Sequence, residues 1–451
     1  MAQYAVLSIV INCMDLLITL IISFVFLIFS TLKGYFIFYP LLASLLLWFV
    51  VLVRRGFLLK DLIKMAIAGA KKSFPVFIIL LLIGAVTASW MSAGTVPSLV
   101  FYGIQIINPN YFILFAFLLT SLVSLLIGTS FGTVGTIGIA LMIMASDSGV
   151  NSNLVAGAIL SGAYFGDRCS PMSSSANLIA SVTQTQLYTN IKNMLKTGFI
   201  PLILTSLIYL ILSRLNPIQI TNKILLSEII KTFHPQPLFL LPAFAILILA
   251  FFKIEVKLSM IISIGIASII AVFYQQYSVS ELLEFIFRGF YLHEASPLQS
   301  ILIGGGIISM GKVVLIVMIS TALAGIFAET HILKFIEQFL KQAKSQQHLF
   351  LGTMLIGTLS AAYGCTQTIA ILLTQQLVQK RYQTLQLNNN QLAVDLENTV
   401  VMISPLIPWN IAGLVPVTLL MSDFHCLPYA FYLYLIPLFN LLHKPKDVRL
   451  S

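Results

Sequence analysis

Charged residues are scarce in this chain of 451 residues. Only 9% are Asp, Glu, Lys or Arg, while 59% are hydrophobic and the mean hydropathy is +0.99. About a quarter of the residues of a soluble domain are charged, because its surface must be hydrated. This composition excludes a soluble enzyme, a disordered protein and a nucleic-acid-binding protein. Most of the apolar runs are about 17–25 residues long, which indicates a polytopic protein that spans a lipid bilayer with helices.

Cysteine patterns that would indicate a disulfide framework or a metal site are also missing. The four cysteines are scattered, without a CxxC pair, and are interpreted as packing residues. The N-terminal stretch MAQYAVLSIVINCMDLL has no basic segment and no cleavage site, so we expect a retained first helix and not a signal peptide. The net charge of +10 comes from Lys and Arg in short loops, where they mark the cytoplasmic side.

The apolar runs predict an all-α bundle of about eleven to thirteen helical segments. The runs lie at about 5–30, 35–53, 74–92, 111–127, 133–145, 154–165, 199–212, 238–252, 258–274, 301–328, 349–362, 366–377, 400–420 and 427–442. A basic amphipathic stretch, residues 54–73, is expected to lie along the cytoplasmic interface. Several runs are too short to span alone, which indicates broken or re-entrant helices.

Two halves of the chain repeat the same order of features. Residues 131–141 align with 363–373, and Ser170-Pro171-Met172 with Asn177 aligns with Ser404-Pro405-Leu406 with Asn410. We therefore predict a first transmembrane repeat over 1–215, a connector over 216–236 and a second repeat over 237–443.

Charge predicts that the two repeats have opposite orientations. The amphipathic stretch of the first half is basic, whereas its counterpart in the second half, SELLEFIFRGFYLHEAS, carries three Glu and one Arg. Because Lys and Arg favour the cytoplasmic side, the two stretches should lie on opposite faces of the membrane. Inverted repeats are typical of secondary transporters, whose binding site lies where broken helices of the two halves meet.

Asp167 is the sharpest candidate for chemistry. A carboxylate beside apolar helix must be paired, protonated or bound to a cation, as required of a group that exchanges H⁺ for Na⁺. A structural ion pair with the adjacent Arg168 is the alternative. Glu397 is a candidate for a proton pathway.

Gly, Pro, Ser and Thr interrupt the apolar runs at corresponding places and indicate the rest of the site, because unwound backbone needs polar partners in a bilayer. Close packing of small residues is the alternative reading. The expected ligands of a Na⁺ ion or polar solute, besides Asp167, are Thr129, Ser130, Thr133, Ser170, Ser173, Ser174, Asn177, Thr366, Gln367, Thr368, Ser404 and Asn410.

Two patterns found in enzymes do not fit the rest of the sequence. Gly128-Thr129-Ser130-Phe131-Gly132 matches a G-x-S-x-G elbow but sits in an apolar helical run without a His partner. An intramembrane aspartyl protease would need a second carboxylate in a motif similar to that of Asp167.

At these residues the chain resembles the NhaC family of sodium/proton antiporters. The matching stretches are ASWMSAGTVPSLVFYG, GTSFGTVGTIGIALM, AGAILSGAYFGDRCSPMSSSANL, SPLIPWNIAG and LPYAFY, at residues 88–103, 128–142, 156–178, 404–413 and 427–432. The resemblance implies a Na⁺/H⁺ antiporter of the bacterial inner membrane that works without a cofactor. The alternative is a Na⁺- or H⁺-coupled exchanger of a small organic anion, such as malate or lactate, or of an amino acid. We also expect a cytoplasmic N-terminus, no nucleic-acid partner and a homodimer.

The chain departs from the family pattern at three positions. Ser174 stands where the family has an acidic residue, Asn190 where it has a His, and Asn398 where it has an Asp. Each replacement removes a titratable or cation-binding group. The transported ion and its stoichiometry are therefore open, while the fold is unaffected.

Overall fold

The computed structural model describes residues 2–33, 35–146, 148–218, 223–292, 304–330 and 345–445. This part of the chain is helical almost throughout, and its one antiparallel bridge joins Phe290 to Gly304. Helices pair each backbone N–H with a carbonyl of the same segment, which an apolar chain needs where water cannot reach it. The protein is thus an all-α polytopic membrane protein, as the sequence predicts.

Two compact units make up the fold, and each draws on both halves of the sequence. Unit 1 comprises Met1–Pro75, Val313–Leu414 and Leu441–Ser451. Unit 2 comprises Val76–Lys312 and Val415–Asn440. The units are therefore not the two sequence halves, and the division into inverted repeats stays a prediction.

Unit 1 is built from helices of the N-terminal stretch and of the second half. They are Ala2–Leu32, Phe38–Arg54, Leu59–Lys72, Gly311–Thr330, Gln346–Gly364, Gln367–Thr384 and Asn389–Leu396, followed by a π-helical turn, Glu397–Val401, a 3₁₀ turn, Ser404–Leu406, and the helix Ile411–Leu419. The helices that begin at Gly311 and Ile411 continue across the boundary between the units.

Unit 2 contains most of the first half. Its helices are Phe74–Ser92, Thr95–Ile106, Phe112–Ile127, Ser130–Thr133, Ile139–Ser146, Ser152–Cys169, Ser174–Val182, Leu187–Leu215, Lys223–Phe233, Leu241–Phe251, Val256–Phe273, Val279–Arg288 and Phe431–His443, the last of which ends in unit 1. A π-helical turn, Val134–Gly138, and the 3₁₀ turns Pro109–Tyr111, Pro237–Leu240, Ile308–Met310 and Phe424–Tyr429 complete it.

Five helices in the described residues are long and apolar enough to cross a membrane, or seven spans if each of two bent helix pairs counts as one. The bends are 89° between Ser227–Phe233 and Pro237–Phe251, and 53° between Asn389–Leu406 and Ile411–Leu419. Five shorter apolar helices accompany them. Broken and short apolar segments are thus a confirmed feature of the fold.

Differences from the sequence prediction concern short helices between the spans. Thr95–Ile106, Ser174–Val182, Lys223–Phe233 and Asn389–Leu396 were not among the predicted runs, and Lys223–Phe233 lies within the predicted polar connector. The sequence does not predict these helices, because each is short and is flanked by polar or Gly residues. The predicted run 301–328 begins later, with Ile308–Met310, and its first three residues lie outside the described part.

Glycines let the helix that carries Asp167 approach its neighbour closely. A Cβ atom at Gly162 would lie 2.6 Å from the Phe117 carbonyl oxygen, and one at Gly166 would meet the backbone of Ser124. The helices Phe112–Ile127 and Ser152–Cys169 therefore pack backbone against backbone, the small-residue packing typical of membrane helices.

We predict that Gly162→Ala destabilises the protein by about 1–3 kcal/mol, because the added methyl must push the two helices apart. Gly265→Ala is the matched control, since a Cβ there meets nothing within 4 Å and alanine favours the helix by about 1 kcal/mol. Thermal unfolding of the purified variants measures both effects. Equal melting temperatures for the two variants would contradict the packing.

Candidate functional site

Asp167 lies near the C-terminal end of the helix Ser152–Cys169 in unit 2. Only 4% of the residue is exposed, and the helix ends two residues later at Cys169, which is followed by Ser170 in extended backbone. A buried carboxylate at the end of a helix in an apolar environment is costly unless a proton or cation neutralises it. The placement meets the physical requirement stated for a cation- or proton-binding group.

Serines of the next short helix hold the main chain at Asp167. The Ser173 hydroxyl donates to the Asp167 main-chain carbonyl, and the Ser175 hydroxyl donates to the same oxygen at 2.9 Å. Ser173 also accepts from the Ala176 N–H at 3.2 Å and so caps the helix Ser174–Val182. The two serines fix the end of one helix against the start of the next.

The other candidates of this segment differ in their exposure. Ser170 is buried and its hydroxyl accepts from the Met172 N–H at 3.1 Å. Asn177 is exposed, and its amide donates to the Pro171 and Ser173 carbonyls at 3.0 and 2.7 Å. Ser174 is exposed, whereas Ser175 is buried. The sequence prediction named Ser174 and missed Ser175, because the local helical direction decides which of two adjacent serines turns inward.

The first broken segment of unit 2 lies against this one. Gly128 ends the preceding helix with φ +75°, and a Cβ on it would lie 2.7 Å from the carbonyl carbon of Met172. The Ser130 side chain hydrogen-bonds to the hydroxyl of Tyr164, which lies close enough to Asp167 for an electrostatic interaction. Ser130 and Asp167 thus flank one buried tyrosine, a residue that the sequence prediction did not include.

Thr129 and Thr133 stabilise the first break itself. The Thr129 main-chain carbonyl accepts from the Thr133 N–H at 3.1 Å and from its hydroxyl at 2.8 Å. Thr133 is fully buried, whereas Thr129 is half-buried in extended backbone. A helix and not a strand precedes Ser130, so the strand–turn–helix context that a G-x-S-x-G elbow requires does not occur at this motif.

Arg168 is fully buried and ties three segments of unit 2 together. Its guanidinium donates to the Met194 carbonyl at 2.8 Å and to the Thr197 hydroxyl at 2.9 Å, and it reaches the Tyr432 hydroxyl at 3.4 Å. These contacts give Arg168 a structural role in joining helices next to Asp167.

The candidates of the second half group together in unit 1. Gln346–Gly364 ends at Cys365 with φ +50°, and Thr366 caps the next helix by accepting from the Ile369 N–H at 3.2 Å. Thr366 and Gln367 are half-buried, and Thr368 is exposed. A helix therefore breaks here as it does at Gly128.

The second broken segment of unit 1 is fastened to the first. The Asn410 amide donates to the Ala361 carbonyl at 2.7 Å, the Trp409 indole donates to the Ala362 carbonyl at 2.8 Å, and the Ile411 N–H donates to the Cys365 carbonyl at 2.8 Å. Ser404 is buried and donates to the Val400 carbonyl at 2.7 Å. Each unit thus brings two broken segments of one sequence half into contact.

Acidic residues are buried in unit 1 as well. Glu397 is 1% exposed at the start of the π-helical turn and is followed by the fully buried Asn398. Asp395 was not a candidate, yet its carboxylate accepts from Lys444 at 2.6 Å, from Gln391 at 2.8 Å and from Tyr382 at 2.9 Å. The signal that could have revealed Asp395 is its place in an apolar stretch, although its partner Lys444 is distant in sequence.

Metal-binding clusters of the usual kind do not occur among the described side chains, where no group of three His, Cys, Asp or Glu residues is close enough to hold an ion. A Na⁺ ion bound near Asp167 would rely on one carboxylate with hydroxyl and main-chain oxygens, the hard ligands that such a cation accepts.

Comparison with known proteins places this chain among cation-coupled antiporters. Residues 162–442 match the model of the Na⁺/H⁺ antiporter family. The chain is 30% identical over 392 residues to the Na⁺/H⁺ antiporter NhaC of Alkalihalophilus pseudofirmus, covering 85% of this chain and 84% of that protein. It is 28% identical over 398 residues to the malate-2H⁺/Na⁺-lactate antiporter of Bacillus subtilis, covering 86% and 85%.

A third relative is the arginine/ornithine antiporter ArcD of Halobacterium salinarum, which is 27% identical over 363 residues, covering 77% of this chain and 72% of that protein. The family match spans more than half of the chain and includes Asp167 and the segment Ser404–Asn410. The resemblance to NhaC proteins is therefore confirmed, and the chain belongs to the Na⁺/H⁺ antiporter family.

Proposed function

We propose that this protein exchanges Na⁺ for H⁺ across the bacterial inner membrane by alternating access, with Asp167 as the group that binds either ion. The observation that carries the proposal is the burial of Asp167 between two broken segments of unit 2. A buried carboxylate can take up either H⁺ or Na⁺ but not both at once, so the two ions compete for it. That competition couples the two flows.

The oxygens around Asp167 would complete the ion's coordination. Ser130, Ser170 and Thr133 are buried with Asp167, and Ser173 and Ser175 hold its main-chain carbonyl in place. In unit 1, Asn410 and Ser404 support the corresponding break, and Glu397 is the candidate for a proton pathway. We propose that the two groups act in one transport cycle of inverted repeats with a cytoplasmic N-terminus, assembled as a homodimer.

The second candidate function is exchange of a small organic anion coupled to Na⁺ or H⁺. It is favoured by the malate/lactate relative, which covers as much of this chain as the NhaC relative does. The departures at Ser174, Asn190 and Asn398 also leave fewer ionisable groups for ion exchange alone. Asn190 is buried, and its amide donates to the Thr185 hydroxyl at 2.7 Å, so this side chain stabilises the local structure.

Asp167→Asn should abolish Na⁺/H⁺ exchange, because the amide keeps the shape of the side chain but binds neither ion as a charge. In everted vesicles with a pH-sensitive dye, addition of Na⁺ should dissipate the imposed gradient at least about tenfold more slowly than with the wild-type protein, a loss of ~1.4 kcal/mol or more.

Asp61→Asn is the matched control, since Asp61 is exposed on the amphipathic helix Leu59–Lys72 and lies outside the candidate site. It should exchange at the wild-type rate. If Asp167→Asn dissipates the gradient as fast as Asp61→Asn, Asp167 does not have the proposed role.

Ser174→Asp should strengthen Na⁺ binding, because Ser174 lies between the two serines that hold the Asp167 carbonyl. A second negative charge at a few ångströms is worth about 1 kcal/mol in water, or roughly a fivefold lower half-saturating Na⁺ concentration. Ser181→Asp places the same charge on the same face of this helix, two turns away. An equal effect of both substitutions would show that the charge acts on the surface as a whole and not on the site.

A further inference from the structure

A cluster of five aromatic side chains in unit 1 is the feature with no part in the proposed exchange. Trp48, Phe327 and Tyr363 are in mutual contact, with ring centroids 4.9–6.4 Å apart. Phe24 joins Tyr363 to Trp409 at 5.1 and 5.8 Å. Tyr363 and Trp409 belong to the two broken segments, so this aromatic cluster adjoins both breaks of unit 1.

Two residues of the aromatic cluster, and one serine a helical turn before each of them, carry buried polar atoms without hydrogen-bond partners among the described residues. In the part of the chain that the structure describes, none is found for the Trp48 indole N–H, the Tyr363 hydroxyl, or the hydroxyls of Ser44 and Ser360. Trp48, Ser44 and Ser360 are 0% exposed, and Tyr363 is 3% exposed. Ser44 lies four residues before Trp48, and Ser360 three before Tyr363, so each serine shares a helix face with its aromatic neighbour.

Other buried aromatic side chains of the described residues have partners for their polar groups. Of its three tryptophans, Trp90 donates to Ser263 at 2.9 Å and Trp409 donates to the Ala362 carbonyl at 2.8 Å. The buried Tyr209 likewise bonds to Ser161 at 2.8 Å and to the Tyr429 carbonyl at 2.6 Å. Buried polar groups in native proteins are nearly always paired, so the unpaired ones on two aromatic side chains in contact, and on the serines beside them, need an explanation.

The hydrogen-bonding capacity of these four groups limits which ligands could bind to them. An indole N–H only donates, so neither Na⁺ nor an ammonium group can satisfy it, whereas a carboxylate oxygen can. The hydroxyls of Tyr363, Ser44 and Ser360 can donate to the same group. Aromatic faces provide the apolar contact that the carbon skeleton of a small organic molecule requires.

We propose that the aromatic cluster of unit 1 binds a small organic carboxylate, held by the Trp48 indole and the Tyr363, Ser44 and Ser360 hydroxyls. None of these residues is basic, and a buried negative charge needs compensation. The carboxylate must therefore be accompanied by Na⁺ or H⁺, which would make its binding depend on Na⁺ concentration and pH. Only that dependence rests on the proposed ion coupling, whereas binding itself does not.

The test measures binding of sodium lactate and sodium malate to the purified full-length protein in lipid nanodiscs by calorimetry, with sodium chloride at equal Na⁺ as the reference. Trp48→Phe and Tyr363→Phe should each weaken carboxylate binding about tenfold or more. Trp90→Phe and Tyr209→Phe, which remove paired groups in unit 2, should leave the binding constant unchanged.

Thermal unfolding without ligand keeps the test independent of folding. Both Trp48→Phe and Trp90→Phe leave a cavity in a buried site, but only Trp90→Phe also loses a hydrogen bond, so Trp48→Phe should have the higher melting temperature of the two. A carboxylate that binds Trp48→Phe as tightly as the wild type would overturn the proposal, as would failure of both carboxylates to bind the wild type.

Failure of this inference is separable from failure of the proposed exchange. If wild-type protein exchanges Na⁺ for H⁺ in vesicles but binds neither carboxylate, the aromatic cluster is not a carboxylate site and the ion-exchange function stands. If carboxylates bind but Asp167→Asn exchanges Na⁺ normally, the aromatic-cluster site stands and the role of Asp167 falls.

Discussion

Broken helices in an apolar chain create the constraint on which the rest of this structure depends. Where a helix stops inside a bilayer, its last carbonyls lose their partners, and water cannot replace them. Here protein side chains do so: Ser173 and Ser175 donate to the Asp167 carbonyl, and Asn410 donates to the Ala361 carbonyl. The breaks are therefore rigid, hydrogen-bonded joints that can position an ion.

This constraint divides the polar residues of the breaks into two roles. Most of the Ser, Thr and Asn side chains bond to main-chain groups, so they support the site more than they fill it. Asp167 is the carboxylate that this support places in a buried position. In the proposed exchange, one carboxylate held in this way favours competition between two small cations over simultaneous binding of both, which is the physical basis of antiport.

Both units contain a pair of broken helices in contact, but the side chains around the breaks differ between the units. In unit 2 the breaks surround a carboxylate and a tyrosine, and Arg168 joins the neighbouring helices through three hydrogen-bond partners. In unit 1 the breaks adjoin an aromatic cluster in which the Trp48 indole and the Tyr363 hydroxyl have no partner among the described residues. We propose that a cation binds in the first site and an organic anion in the second.

The sequence alone predicts that the protein lies in a membrane and where its long helices lie, because the length and hydropathy of a run determine whether it can span. It also predicts the helix breaks, because Gly and Pro interrupt the apolar runs; the breaks lie at Gly128, Ser170, Cys365 and Ser404. The short helices, the inward turn of Ser175 instead of Ser174, and the partners of Asp395 do not follow from the sequence. Only the tertiary structure decided these, since they depend on contacts between residues far apart in sequence, such as Asp395 with Lys444 and Trp48 with Tyr363. The amino-acid composition thus determines that the protein lies in a lipid bilayer. The packing of the folded chain determines which buried polar groups remain available to a ligand.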